Sequence, residues 1–340
     1  MEPFETQPLI YVALSPQLSN DLALDKQLER VAALARIEYW NGEDSPTLDA
    51  MSDALRRAPI VLTGWQVPPL QAILADWTPD TGTVRLIVHT AGTVKYFLPA
   101  QAVARGLIVT HANDALAEAV AEFTIGVIIT ARRQVIPSAA RMKAGQWRMP
   151  LTRQHELWGS TVGIIGASNI GRRVMRLLQP FDVTLLLYDP YCAEATAAHY
   201  GATLVSLDEL MRRSDIVSLH APVTAETIGM LGAAQFAAMK DGALFVNTAR
   251  GRLVDHEALL RELQQGRIDA VLDVTDPTEP LPLDSPFFQL ENCIVLPHLA
   301  AITVETRHRQ ARYAVDEVLR YLRGEPLRYQ VTPERWETMA

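Results

Sequence analysis

Apolar residues along the chain fall into two alternating rhythms. Short unbroken apolar runs are how strands buried on both faces read, and between them apolar positions return every three or four residues, the period of a helix with one buried face. In the first third the runs are Leu9–Leu14 (closed by Ser15-Pro16), Ile37–Trp40, Pro59–Thr63, Val84–Val88 and Leu107–Thr110. Helical spacing covers 20–36, where Leu24, Leu28, Val31 and Ala35 share a face and Asn20 is the expected cap. It resumes after the turn 41–46, with Leu48, Met51 and Leu55 inward, then at Leu70–Trp77 and Leu98–Arg105. Strands alternating with helices predict a parallel sheet covered on both faces.

A stretch rich in Ala, Val and Ile, Ala115–Ala140, reads as one long helix bridging two units. The alternation then resumes. Val162–Ile165 and Val183–Leu187 are strands around a helix Asn169–Leu178 that Pro180 stops. Further strands are expected at Asp215–Leu219, Ala243–Asn247, Ala270–Asp273 and Cys293–Leu296, with helices near 207–213, 232–240 and 255–265. Thr303–Arg323 is a last long helix, with Ala311, Ala314, Val315, Val318 and Leu322 on one face and Gly324 as its C-cap. A helix after the last strand of a domain often returns to the earlier unit. The fold class is α/β, with two doubly wound parallel-sheet domains: the first flavodoxin-like, the second of Rossmann type.

Composition narrows the function classes. The chain has 340 residues, 49% hydrophobic and 21% charged, as globular proteins do. A net charge of −8 disfavours nucleic acid or an anionic membrane as partner. The start, Met1-Glu-Pro-Phe-Glu5, lacks the apolar core of a signal peptide, and no apolar run is long enough to span a bilayer. Cys192 and Cys293 are too few for a disulfide framework, and the His residues show no metal-ligand spacing. A cytoplasmic protein without a metal is expected.

The stretch Thr161–Gly171 carries the first chemistry. A strand, the glycine turn Gly166-Ala-Ser-Asn-Ile-Gly171, a helix, a second strand and then Asp189 follow the order of a dinucleotide-binding fingerprint. The pyrophosphate is expected on the helix N-terminus and the carboxylate on a ribose diol. Ser168 replaces the middle glycine; it is small, and its hydroxyl can donate to a phosphate oxygen. Asp189 is followed by Pro190, Tyr191 and Cys192 with no Arg nearby, which favours NAD over NADP, because a carboxylate repels a 2′-phosphate. A plain strand-to-helix turn also uses glycine; the acid at the right distance tips the balance toward a cofactor.

Three further pieces lie at predicted strand ends, where open α/β sheets place ligands. They are Val246-Asn-Thr-Ala-Arg250-Gly251, Asp273-Val-Thr-Asp-Pro-Thr-Glu279-Pro-Leu-Pro282 and Leu296-Pro297-His298. Together they supply a guanidinium, a carboxylate and an imidazole. Moving a hydride to or from the carbon of an α-hydroxy or α-keto acid uses all three. Arg250 can clamp a carboxylate and polarise the adjacent carbonyl, His298 can exchange a proton, and Glu279 can fix the imidazole tautomer. Each also has a plainer fate: a strand-end Arg, a solvated acid in a proline-rich loop, a hydrogen-bonded core histidine.

Over nearly its full length the chain resembles the D-isomer-specific 2-hydroxyacid dehydrogenase family. The carriers are Leu207-Asp-Glu-Leu, Ser214-Asp-Ile-Val-Ser-Leu-His220-Ala-Pro222, Met239-Lys-Asp-Gly, Asn247-Thr-Ala-Arg-Gly, Leu253-Val-Asp255, Glu279-Pro-Leu-Pro and Pro297-His298-Leu. The resemblance implies a catalytic set on Arg250, Glu279 and His298. It implies NAD contacts at Gly166, Ser168, Asn169, Ile170, Gly171, Asp189, His220, Ala221, Pro222, Thr227, Thr248, Ala249, Arg250, Asp273 (for the carboxamide) and His298. Substrate contacts fall on Ala91, Gly92 and Thr93 with Arg250 and His298. It implies a catalytic domain of 1–112 plus 305–340, a Rossmann NAD-binding and dimerisation domain of 113–304, and a homodimer acting on a small 2-keto or 2-hydroxy acid.

This chain departs from the family pattern in several places. Glu279 stands one residue further from Asp273 than is usual, as if Thr278 were inserted, which makes Asp276 a rival. Ala301 and Ile302 replace a common Gly-Ser, and Lys95 replaces a common Asp; Lys95 is either solvated or meets a second anionic group on the substrate. Formate enzymes of this architecture carry an amide where Glu279 stands, which argues against formate. Phosphite dehydrogenation and a non-catalytic, NAD-sensing role of the corepressor kind are the alternatives to 2-keto acid reduction.

Overall fold

The computed structural model describes residues 7–147 and 153–338; the acidic start Met1–Glu5 lies outside them. The chain forms two compact units, one from the residues up to Leu116 together with those from Thr303 onward, the other from Ala117 to Ile302.

The first segment runs β1 (Leu9–Ala13), α1 (Pro16–Asp21), α2 (Leu24–Leu28), β2 (Arg36–Tyr39), α3 (Leu48–Arg57), β3 (Ile60–Thr63), α4 (Gln71–Leu74), β4 (Leu86–His89), α5 (Ala100–Ala104), β5 (Ile108–His111) and α6 (Asn113–Arg132). Its sheet is parallel in the order β2-β1-β3-β4-β5, the flavodoxin arrangement. The helix expected over 20–36 is instead two short ones. Ser15 caps α1 by accepting from Leu18 N, Asn20 lies inside it, and Ala23 turns the chain left-handed at φ 48°. Leu24, Leu28, Val31 and Ala35 are all buried nonetheless, so their spacing reports which face is covered and not that the helix is continuous. Leu48, expected inward, is 45% exposed: it is the first residue after the Thr47 cap, while Met51, Ala54 and Leu55 form the buried stripe of α3.

The long helix expected over 115–140 is likewise broken. α6 stops at Arg132, Gln134 adopts φ 51°, and α7 (Val135–Lys143) starts afresh. The Gln134 side chain donates to the Ala131 carbonyl, which meets one of the acceptors left open at a helix end.

The central segment continues with β6 (Thr161–Ile165), α8 (Asn169–Leu178), β7 (Thr184–Tyr188), α9 (Glu194–His199), β8 (Ala202–Leu204), α10 (Leu207–Arg213), β9 (Ile216–Leu219), α11 (Ala233–Ala238), β10 (Leu244–Asn247), α12 (His256–Gln264), β11 (Asp269–Leu272) and β12 (Cys293–Val295). The seven strands are parallel in the order β12-β11-β10-β9-β6-β7-β8, the Rossmann arrangement extended by one strand. Strand order reverses between β6 and β9, the switch point where such sheets bind ligands. The α9–β8 pair was not anticipated: β8 has three residues and sits at the sheet edge, too short for an apolar run to show.

The chain then enters α13 (Val304–Leu322) and, after Gly324 at φ 67°, ends in α14 (Pro333–Thr338). Ala311, Ala314, Val315 and Val318 of α13 pack with Ile10, Val12, Ile60, Leu62, Leu86 and Val88, covering one face of the five-stranded sheet; Leu322 packs beside them partly buried. Among the described residues, no helix is long and apolar enough to cross a membrane, and no group of three or more His, Cys, Asp or Glu is placed to hold a metal ion.

One buried base gives the first unit a measurable dependence on pH. His89, at the end of β4, is 1% exposed, shares a hydrogen bond with Thr63 Oγ1 at 3.0 Å through Nδ1, and has no partner for Nε2 among the described residues. Burial pushes its pKa down to about 3. The folded protein therefore holds His89 neutral, whereas the unfolded chain protonates it near pH 6.5, so stability falls as pH drops through that value. Between pH 6.5 and 5, urea unfolding should show a loss on the order of 1–2 kcal/mol from this group. His89→Gln should flatten the profile by that amount; an unchanged slope would remove His89 as its source.

Candidate functional site

At the carboxyl end of β6 the backbone turns sharply into α8. Gly166 has φ 98°, and a Cβ on it would come within 3.0 Å of the Ala221 backbone; a Cβ on Gly171 would sit 2.1 Å from the Gly166 carbonyl oxygen. The turn therefore closes only with glycine at both places, leaving backbone bare where a diphosphate would approach. Ser168 is the N-cap of α8, its oxygen accepting from Gly171 N at 3.2 Å, while the hydroxyl proton stays available to an anion. Asn169 and Ile170 are the first helical residues behind it. Asp189, just past β7, accepts from Ala167 N at 2.7 Å and from Tyr191 N at 2.8 Å, which fixes its carboxylate beside the glycine turn.

Arg172 is a neighbour that sequence reasoning passed over. Its Nε donates to the Ala167 carbonyl at 2.7 Å, folding a guanidinium back over the same turn. An Arg one position after the last glycine was the available signal. These features fit a bound dinucleotide: a side-chain-free cradle, a helix N-terminus and an acid held at the ribose end.

The neighbouring strands bring the second constellation together. After β10, Asn247 accepts from Ala249 N through Oδ1 and donates to the Arg250 carbonyl through Nδ2, both at 3.0 Å, so this one side chain shapes the loop carrying Thr248, Ala249 and Arg250. The Arg250 guanidinium donates to the Ala249 carbonyl. Burial pushes its pKa below the ordinary value, and the Glu279 charge works against that shift. Gly251 has no room for a side chain: a Cβ would lie 2.2 Å from the carbonyl of Thr275, in the loop after β11. In that loop Thr275 Oγ1 donates to the Thr278 carbonyl at 2.7 Å. The turn so closed lies between Asp273 and Glu279.

Glu279 then reaches His298, with Oε2 3.1 Å from Nδ1. Asp276, the rival carboxylate, instead exerts its charge on His256. His298 adopts φ 54°, a left-handed conformation that costs about 1–2 kcal/mol in a residue other than glycine. What holds it there is Asp273, 1% exposed, whose two oxygens accept from Leu299 N at 2.9 Å and Ala300 N at 3.0 Å. The carboxylate expected to face a carboxamide thus has both oxygens committed to the backbone that follows His298.

The remaining residues singled out from sequence divide between the two units. His220, after β9, is buried and bonds Ser218 Oγ through Nε2 at 2.8 Å; burial pushes its pKa down to about 3, and its buried Nδ1 finds no partner among the described residues. Ala221 packs against Gly166, and the Pro222 carbonyl accepts from the Thr227 hydroxyl at 2.6 Å. Thr248 Oγ1 shares a buried bond of 3.1 Å with Thr124 of α6, another residue that sequence alone did not flag. Ala91, Gly92 and Thr93 follow β4 and belong to the other unit, where Thr93 Oγ1 accepts from Lys95 N.

Residues 125–300 match the family model described as D-isomer specific 2-hydroxyacid dehydrogenase, NAD binding domain. A glyoxylate reductase of Korarchaeum cryptofilum is 30% identical over 306 residues, spanning 88% of this chain and 91% of the relative. A D-3-phosphoglycerate dehydrogenase of Methanocaldococcus jannaschii is 37% identical over 223 residues, which cover 65% of this chain but only 42% of that longer protein. The crystal structure of a D-isomer specific 2-hydroxyacid dehydrogenase from Lactobacillus delbrueckii ssp. bulgaricus, in its NAD-complexed form, superposes with a TM-score of 0.80. It is 22% identical and covers 95% of this chain and 99% of that one.

The Asp273 strut can be tested without any ligand. Asp273→Asn replaces one acceptor by a donor facing a backbone N–H, at a cost of about 1–3 kcal/mol. The Leu299 and Ala300 amides should then exchange roughly 5–100-fold faster with solvent deuterium. Unaltered exchange at both amides would show that something else holds the loop.

Proposed function

The chain belongs to the D-isomer-specific 2-hydroxyacid dehydrogenase family, and from that premise we propose that it reduces a small 2-keto acid to the corresponding D-2-hydroxy acid with NADH, using His298 as its acid and base. The observation that carries this reading is the 3.1 Å contact between His298 Nδ1 and Glu279 Oε2, beside the half-buried Arg250. An Nδ1–H donated to Glu279 fixes the tautomer and leaves Nε2 to face the substrate oxygen. In the reducing direction Nε2 gives its proton to the carbonyl oxygen as C2 gains a hydride; in the reverse direction the neutral ring takes that proton back. Arg250 holds the carboxylate and polarises the adjacent carbonyl. Its burial strengthens both effects by lowering the local dielectric.

The bound dinucleotide supplies or accepts the hydride. The turn Gly166–Gly171 would hold its diphosphate, with the Ser168 hydroxyl and the start of α8 as donors, and Asp189 would take the ribose diol. Ala91, Gly92 and Thr93 offer backbone amides to the substrate. A carboxylate at position 189 selects NADH over NADPH by repelling a 2′-phosphate.

We also propose a homodimer. The reading is supported by Val135, Ile136 and Met142 of α7, each about half exposed, and by Trp147 just after it, 81% exposed. Contiguous exposed apolar side chains of this size mark association surfaces. Ile136→Glu with Met142→Glu should halve the mass measured by light scattering; a parent that is already monomeric would exclude the dimer.

The catalytic assignment is tested by following NADH absorbance with pyruvate, glyoxylate and hydroxypyruvate. His298→Gln should lower kcat by roughly 10²–10⁴-fold. Its NADH affinity, read by fluorescence, should stay near that of the parent. Glu279→Gln, which keeps the shape of the side chain but removes its charge, should lower kcat less. Turnover by His298→Gln at the parent rate would remove the imidazole from the reaction.

A further inference from the structure

Arg307 lies in the first turn of α13, and its guanidinium carbon sits 3.9 Å above the centre of the Trp65 ring. Trp65 follows β3 by two residues. Its loop is tied to the one after β4, because Tyr96 donates its hydroxyl proton to the Gly64 carbonyl at 3.2 Å. The two strands are neighbours in register, Thr63 beside His89, so both loops leave the carboxyl edge of the five-stranded sheet. Open α/β sheets bind their ligands at this edge. The residues proposed to offer amides to the substrate, Ala91–Thr93, sit in the second of these loops.

The charge on Arg307 is poorly compensated. Burial pushes its pKa below the ordinary value, and the one carboxylate acting on it, Asp21, is beyond ion-pair distance. Its hydrogen-bond partner is Gln310 Oε1, 3.5 Å from Nη1, at the limit of a hydrogen bond. Gln310 is itself fully buried, and its Nε2 has no acceptor among the described residues. Among the described residues, then, the guanidinium rests on an indole ring and one long hydrogen bond, with no carboxylate in an ion pair with it. Contrast Arg57, which lies over the Tyr11 ring but pairs with both Glu38 and Asp53, as a purely structural arginine does. A half-desolvated cation of this kind costs free energy until an anion joins it.

We propose that Arg307, held on Trp65, binds a second anionic group of the substrate, so that the preferred substrate is a 2-keto acid carrying an additional carboxylate or phosphate. The proposal rests on the reductase reading above and deepens it. Arginine suits the task because its planar fork matches carboxylate and phosphate oxygens while its face stays on the indole.

The test compares NADH-dependent kinetics on pyruvate, with one anionic group, against oxaloacetate and 2-oxoglutarate, with two carboxylates, and 3-phosphohydroxypyruvate, with a phosphate. The parent should favour at least one dianionic substrate over pyruvate, and the dicarboxylate and phosphate arms identify which anion is taken. Arg307→Gln should raise KM for that substrate roughly 10–100-fold, the worth of a charge-assisted hydrogen bond, and leave pyruvate kinetics unchanged. Arg307→Lys should recover part of the loss. Should Arg307→Gln fail to fold, Trp65→Leu keeps the charge, removes its platform and should give the same selective loss.

Equal effects on pyruvate and the dianions, or no effect at all, would reduce Arg307 to a structural stack. If the parent turns over none of these acids, the reductase reading fails, and calorimetric titration with malonate and inorganic phosphate reads the anion site by itself. Binding to the parent that Arg307→Gln abolishes would support the site; no binding to the parent would overturn it.

Discussion

Two oxygens of one buried carboxylate organise the chemistry of the larger unit. Asp273 ends the path of β11 through the core and spends both oxygens on the amides of Leu299 and Ala300. Burying a charge this fully is tolerable only when its hydrogen-bonding capacity is met, and here backbone N–H groups meet it. In return the strand end dictates the path of the loop after β12, and with it the left-handed backbone of His298. The imidazole is thus aimed twice, by its main chain through Asp273 and by its ring through Glu279. Asn247 does for the Arg250 loop what Asp273 does for His298, and Gly251 lets the Arg250 loop pass the loop after β11 at backbone distance.

Much of this was legible in the sequence, for a physical reason. A strand buried on both faces has to be apolar throughout, so the strands of both sheets show as runs, and their parallel order follows from the helices between them. The glycine turn and Asp189 were readable because steric crowding at Gly166 and Gly171 admits no other residue. What stayed hidden was decided by single backbone angles. Ala23 and Gln134 carry no turn signature, yet each adopts a left-handed conformation that splits an expected helix in two. Periodicity records which face is covered, and a break that preserves the face leaves no trace in it.

The site shows the same division. Arg250, Glu279 and His298 could be picked out because they end predicted strands. Before Glu279 meets His298 the chain passes through the Thr275–Thr278 turn, whose closure involves a side chain and a carbonyl that spacing alone does not pair. Trp65 and Arg307 are 242 positions apart, and nothing local marks either; only the return of α13 onto the first sheet makes them neighbours.

That return has a consequence for synthesis on the ribosome. One face of the five-stranded sheet, with Ile10, Val12, Ile60, Leu62, Leu86 and Val88, is covered by α13, which is made only after the 186 residues from Ala117 to Ile302. At about 5–20 residues per second, the nascent first segment waits roughly 10–40 s with that apolar face uncovered. The strands of the inserted unit are all made within this interval, so that unit is complete before α13 emerges. The unit that holds β1 is therefore the last to be completed.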